Sequence, residues 1–309
     1  MSTPSPVGPS GFGFDSTAED VTAGLDLTGQ TWLVTGCNSG LGLETARVLH
    51  ARGAHIIGAA RTADKAARAF AEVGIPADAA TTVACELSDL ASVRACVAAV
   101  SALDRRLDGI IANAGIMALP ELRQQHGIEL QFFTNHVGHF ALVTGLLDRL
   151  TDSGRVVMLS SGAHRMAHRA GIEFDNLSGE REYQAWRMYG NSKLANILFA
   201  RSLARRFAAE GSERTANALH PGVIKTALAR NMENPEGMYD SLVKQRGIVL
   251  KSVGQGAATQ CYVATSPALA GVSGKYFSDC NVEEPTPAAL DDAMADRLWT
   301  VTEALVAAN

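Results

Sequence analysis

Tyr189 and Lys193 stand four residues apart in Tyr189-Gly190-Asn191-Ser192-Lys193. In a helix that spacing puts both side chains on one face. A free phenol titrates at about pH 10, too high for proton transfer at neutral pH, and a neighbouring ammonium stabilises the phenolate and lowers that value. Such a pair could protonate a carbonyl oxygen or take the proton of a hydroxyl. By itself it is also what any solvated helix carries. Other residues raise its weight. Ser160-Ser161-Gly162 closes the strand-like run 155–160, where a hydroxyl can hydrogen-bond an oxygen on which charge develops. Asn113-Ala114-Gly115 closes another apolar run. Asn135 sets an amide inside a helical stretch, at a cost in propensity, where it could bond backbone and water in a proton path.

A second constellation is Thr35-Gly36-Cys37-Asn38-Ser39-Gly40-Leu41-Gly42, between a strand-like run and a helix-like one. Glycines let a backbone approach a pyrophosphate, and a helix N-terminus offers free N–H groups and a favourable dipole. This placement after the first strand points to a dinucleotide, with Gly36, Asn38, Ser39, Gly40, Leu41 and Gly42 around it. The next strand ends in Ala60-Arg61. A carboxylate there would bind a ribose diol and favour NAD. A guanidinium can pair with a 2′-phosphate, so Arg61 predicts NADP.

The elements that must position these residues alternate. Strands are predicted over 31–35, 54–60, 81–85, 109–112, 155–160, 215–219 and 274–277. Helices are predicted over 41–51, 63–73, 90–103, 129–150, 188–209 and 287–307. This is the pattern of an α/β chain: a Rossmann-type, doubly wound parallel sheet with helices on both faces, in a single domain over 25–309. Residues 1–24 read as a flexible tail, with a short helix suggested by Ser16 and Glu19 as a capping box. Residues 227–252 are the least regular part and a candidate substrate loop.

Bulk properties narrow the function. The chain has 309 residues, a net charge of -5 and no clustered basic tract, which argues against nucleic acid as a partner. Five scattered cysteines imply reduced thiols and a cytoplasmic setting, and no metal-ligand spacing is present. Neither a signal peptide nor a membrane anchor is predicted. Cys37, the histidines at 136, 139, 164 and 168, and Trp186 and Trp299 read as packing or surface residues.

In order and spacing, the glycine motif, Asn113-Ala114-Gly115, Ser161 and Tyr189/Lys193 resemble the short-chain dehydrogenase/reductase family from about Asp26 to the C-terminus. The retinol-dehydrogenase-like branch is the most similar, through Asn135-His-Val-Gly-His139, Ser160-Ser-Gly-Ala-His164, His220-Pro-Gly222 and Gly271-Val-Ser-Gly-Lys-Tyr-Phe277. The resemblance implies Tyr189 as acid/base, Lys193 on the nicotinamide ribose, Ser161 rather than Ser160 on the substrate oxygen, and Asn135 in a water relay. It implies Pro221, Gly222 and Thr226 at the nicotinamide end and the phosphates, and Glu86-Leu87 at the adenine, where relatives often carry Asp-Leu. It further implies a small-molecule substrate, a lipophilic ketone, aldehyde or alcohol, and admits a homodimer. The competing readings are reduction of another double bond, as in protochlorophyllide reduction, and a non-catalytic NADP-binding sensor.

Overall fold

A computed structural model describes residues 8–309. The strands are β1 (Thr31–Thr35), β2 (His55–Ala60), β3 (Ala80–Ala84), β4 (Leu107–Ala112), β5 (Gln124–Gln125), β6 (Ile128–Glu129), β7 (Leu150–Leu159), β8 (Thr215–Leu219), β9 (Tyr276–Ser278) and β10 (Asn281–Val282). The helices are α1 (Ala18–Val21), α2 (Gly40–Ala51), α3 (Ala63–Glu72), α4 (Leu90–Ser101), α5 (Leu130–Phe132), α6 (Gly138–Gly145), α7 (Ala185–Ala209), α8 (Pro235–Arg246), α9 (Val253–Thr265) and α10 (Asp292–Ala308). One eight-stranded sheet has the order β10-β9-β8-β7-β4-β1-β2-β3. It is parallel except for β10 on β9. This is the expected doubly wound single domain.

Strand alternation sorts the core into two layers. Leu33 and Ile57 face the side packed by α4, α6, α7 and α10. Trp32, Val34 and Ile56 face the side packed by α1, α2, α3 and α9. Strand order reverses between β1 and β4, so the crevice lies at their carboxyl ends.

Three expectations change. The helix expected over 129–150 is α5, a π-helical turn at Phe133–Val137 and α6, which stops at Gly145 so that β7 can begin at Leu150. Two helices, α8 and α9, were not read from the sequence. Glycine, threonine and valine in α9 weaken its propensity, and burial of residues 256–265 stabilises it instead. The expected tail is docked from Ser10, whose N–H bonds Asn281 Oδ1 at 3.0 Å, and Phe12 packs edge-on against Tyr262 at 5.8 Å. Residues 1–7 of that tail lie outside the described residues. The predicted short helix is α1, capped by Thr17 and Asp20 one residue beyond the expected pair. Among the described residues, no helix is long and apolar enough to cross a membrane.

Candidate active site

The crevice is a cleft of about 860 Å³ along the carboxyl edge of the sheet. Its floor is the turn after β1. Gly36 and Gly40 have φ of +66° and +55°, which side chains disfavour. Gly42 lies behind the wall. A Cβ there would strike the Gly36 carbonyl and the Asn113 amide, so only glycine lets α2 start this close to the sheet. Ser39, at the N-cap of α2, makes no side-chain cap bond, which leaves the helix N–H groups free towards the cleft. Asn38, Leu41, Ala60, Arg61, Glu86 and Leu87 line the same end. Arg61 is exposed, and Glu86 Oε1 already accepts the Ser88 hydroxyl at 2.8 Å.

At the other end, α7 supplies Tyr189 and Lys193, which are 3% and 4% exposed. Lys193 Nζ lies 5.6 Å from the Tyr189 ring centroid and donates to the Leu159 carbonyl at 3.1 Å. A side chain on Gly115 would approach this Nζ to 3.5 Å, so the Asn113–Gly115 turn runs directly beside the ammonium. Burial pushes the Tyr189 phenol up to about 12, opposed by a hydrogen bond with Ser161. Burial also pulls the Lys193 ammonium down to about 8. The lowered phenol pKa expected from the sequence is therefore not a property of the chain alone, because desolvation outweighs the Ser161 hydrogen bond.

The two serines separate by orientation. Ser160 Oγ donates to the Lys193 carbonyl at 2.7 Å and ties β7 to α7. Ser161 caps the turn at 162–166 through the Ala163 N–H and lines the cleft beside Tyr189. His164, expected to be packing, donates from Nδ1 to the Ser161 carbonyl at 2.8 Å. Gly190 makes this meeting of elements possible, since a Cβ there would lie 2.6 Å from the Ala163 carbonyl.

Asn135 does not line the cleft. In the π-helical turn its Oδ1 accepts the Ile116 N–H at 2.8 Å, and its Nδ2 donates to the Ile116 carbonyl and to Ser192 Oγ, both at 2.9 Å. The side chain is thus occupied in holding the Asn113–Met117 segment against α7 rather than open to water. Its backbone carbonyl accepts from His139 Nδ1 at 2.9 Å. A carbonyl only accepts, so Nδ1 carries the proton and Nε2 accepts from Thr35 Oγ at 2.9 Å. Thr35 Oγ in turn accepts the N–H groups of Asn113 and Ala114, both at 3.0 Å. This buried chain joins β1, β4 and α6 beneath the cleft. The sequence alone does not single out His139, because a histidine's partners are not written in its neighbours.

Pro221, Gly222 and Thr226 line the cleft after β8, and Thr226 stands beside the glycine turn, where a Cβ on Gly40 would lie 3.6 Å from its Cγ2. Met117, Trp186, Val223, Leu228 and Met238 add an apolar wall around Tyr189. Trp186, expected to be packing, lines the cleft as well, and its place three residues before Tyr189 puts it near the same helix face.

A family model described as short chain dehydrogenase matches residues 30–237. The chain is 44% identical over 310 residues to Short-chain dehydrogenase TIC 32 B, chloroplastic, of Brassica napus, covering 97% of this chain and 95% of the relative. It is 40% identical over 298 residues to Retinol dehydrogenase 14 of Homo sapiens, covering 91% of this chain and 87% of the relative. The crystal structure of an uncharacterised protein from Mycobacterium paratuberculosis superposes with a TM-score of 0.74 at 33% identity, covering 94% of this chain and 97% of that one.

Proposed function

The chain belongs to the short-chain dehydrogenase family, in its retinol-dehydrogenase-like branch, and on that premise we propose that this oxidoreductase is NADP-dependent and interconverts a lipophilic ketone or aldehyde with its alcohol. The observation that carries this reading is the meeting of Tyr189, Ser161 and Lys193 at the inner end of a cleft whose outer end is a glycine turn and an uncapped helix N-terminus.

The residues fit a dinucleotide. The Gly36–Leu41 turn, with Thr226 beside Gly40, would hold the pyrophosphate, Glu86 and Leu87 the adenine end, Asn113, Ala114 and Gly115 the middle, and Pro221 and Gly222 the nicotinamide end. Arg61, with Ala60 rather than a carboxylate beside it, supports NADP over NAD. When bound, the reduced dinucleotide supplies the hydride. The Ser161 hydroxyl orients the substrate oxygen. Tyr189, kept protonated at neutral pH by burial, gives its proton to that oxygen as negative charge develops. Lys193 would hold the ribose and would stabilise the phenolate left behind. Asn135 acts through position, by fixing the Ile116 backbone and α7.

A lipophilic substrate is supported by the apolar wall and by the retinol dehydrogenase relative. All five cysteines are free and buried, which supports a reducing compartment such as the cytoplasm. The test is a panel of ketones, aldehydes and alcohols read by NADPH absorbance. We expect turnover of apolar carbonyls with NADPH well above NADH. No turnover of any carbonyl by a folded chain that binds NADPH would leave a binding protein instead.

A further inference from the structure

After β8 the chain runs along the cleft as Pro221-Gly222-Val223-Ile224, makes an excursion over 225–250 that carries α8, and returns at Lys251. The excursion is closed at its neck. Ile224 and Lys251 form a parallel bridge, and the Lys251 N–H donates to the Val223 carbonyl at 2.9 Å. The Lys251 side chain is only 2% exposed. Its stem lies across Gly222, where a Cβ would meet Lys251 Cδ at 3.0 Å. Its Nζ forms an ion pair with Asp279 and sits 4.9 Å from the Phe14 ring centroid.

Asp279 is held for this contact. It shares the two-residue turn between β9 and β10 with Cys280, at φ of +47° and +61°. Such turns favour Asn-Gly or Asp-Gly, and non-glycine residues there are strained. The surroundings hold the turn in place. The Cys280 N–H bonds Thr259 Oγ at 3.2 Å, and Asn281 Nδ2 bonds the Asp279 carbonyl at 2.7 Å and the Phe12 carbonyl at 2.9 Å. The docked segment 10–14 thus completes the shell around a buried cation that would be costly without its partner.

We propose that Lys251 is a positioning residue: anchored by Asp279, it fixes the Pro221–Val223 wall and the neck of the 225–250 excursion, and so sets Leu228 and Met238 opposite Tyr189. This rests on the reading of the cleft as the site of carbonyl reduction, and it assigns Lys251 no contact with substrate. Lys251→Met keeps the stem over Gly222 and removes the charge, leaving Asp279 partly in water at the hairpin tip.

The experiment compares Lys251→Met with the parent chain in two ways: backbone hydrogen exchange without nucleotide, and steady-state kinetics with NADPH and nonanal. We expect exchange over 225–250 to quicken about tenfold while β1, β4 and α7 keep their protection. We expect KM for nonanal to rise about five- to tenfold with kcat within about twofold, as loss of one charge-assisted contact implies. Unchanged exchange over 225–250, with any loss of stability spread evenly, would reduce the pair to a fold-stabilising contact. If the parent chain does not reduce nonanal, that aldehyde is not its substrate, the carbonyl panel decides on the function, and the exchange comparison still decides on Lys251. Phe14→Ala covers the case of a variant that does not fold. It leaves both charges and opens the pair to water, so exchange over 225–250 should quicken further with added salt. A salt-independent result overturns the proposal.

Discussion

At the residue scale, two side chains carry separable tests. Tyr189 is buried with its phenol pushed up to about 12, so it enters the reaction as a proton donor. Tyr189→Phe should keep NADPH affinity and lose about a hundred- to ten-thousandfold in kcat, the usual cost of removing a general acid. Wild-type kcat in the folded variant would remove Tyr189 from the chemistry. Arg61 faces the outer end of the cleft and is exposed. Arg61→Ala should raise Kd for NADPH about ten- to a hundredfold with little change for NADH, and high salt should shrink the difference. Titration of both nucleotides by fluorescence measures the ratio. If it does not move, Arg61 is a solvated residue at the start of α3, and the preference for NADP has lost its support.

At the element scale, the site exists because α7 approaches the turn after β7 more closely than a side chain would allow. At Gly190 a Cβ would lie 2.6 Å from the Ala163 carbonyl and 2.8 Å from the Ala167 nitrogen. Both are backbone atoms and cannot swing aside. Gly190→Ala should therefore push α7 off that turn and separate Tyr189 from Ser161. We expect a loss of about 1–3 kcal/mol in stability, the usual cost of overpacking, with kcat down more than about tenfold and NADPH affinity less affected. Denaturant melts and kinetics on the same preparation would check it, and a fully active Gly190→Ala would show that the contact relaxes without consequence. The π-helical turn works in the same way. It turns Asn135 towards Ile116 and Ser192 while its carbonyl meets His139, linking three elements in the space of five residues.

At the scale of the whole molecule, buried histidines make stability depend on pH. Burial pulls His136 down to about 3 and His139 and His164 to about 4. In the unfolded chain each takes a proton at about pH 6.5. Between those values the unfolded state binds more protons, so stability is full above about pH 6.5 and falls as pH drops towards 4. Each histidine contributes a slope of up to about 1.4 kcal/mol per pH unit in that window. Asp108 and Glu129, raised by burial, act in the opposite sense, but burial also lowers His55 and His220, so two carboxyls stand against five imidazoles. Urea melts at pH 7, 6 and 5 should show a steady decline. A midpoint constant down to pH 5 would mean that these imidazoles are not neutral in the folded chain.

What is legible along the chain is local: the strand–turn–helix of Gly36 to Gly42, the Tyr189/Lys193 spacing, the alternation that makes a doubly wound sheet, and through them the family. Each depends on residues within a few positions of one another, where glycine, helical period and strand period have direct physical meaning. The family resemblance also selected Ser161, but only the tertiary structure shows why, since Ser160 turns to the Lys193 carbonyl 33 positions away. Tertiary contact likewise decided the broken helix around Asn135, the neutral His139 between Thr35 and the Asn135 carbonyl, the helices α8 and α9, the docking of Ser10 and Phe12, and the pairing of Lys251 with Asp279. A periodic pattern reports which face of an element is buried. It does not report which distant groups will meet there, and buried polar atoms take their geometry from those partners.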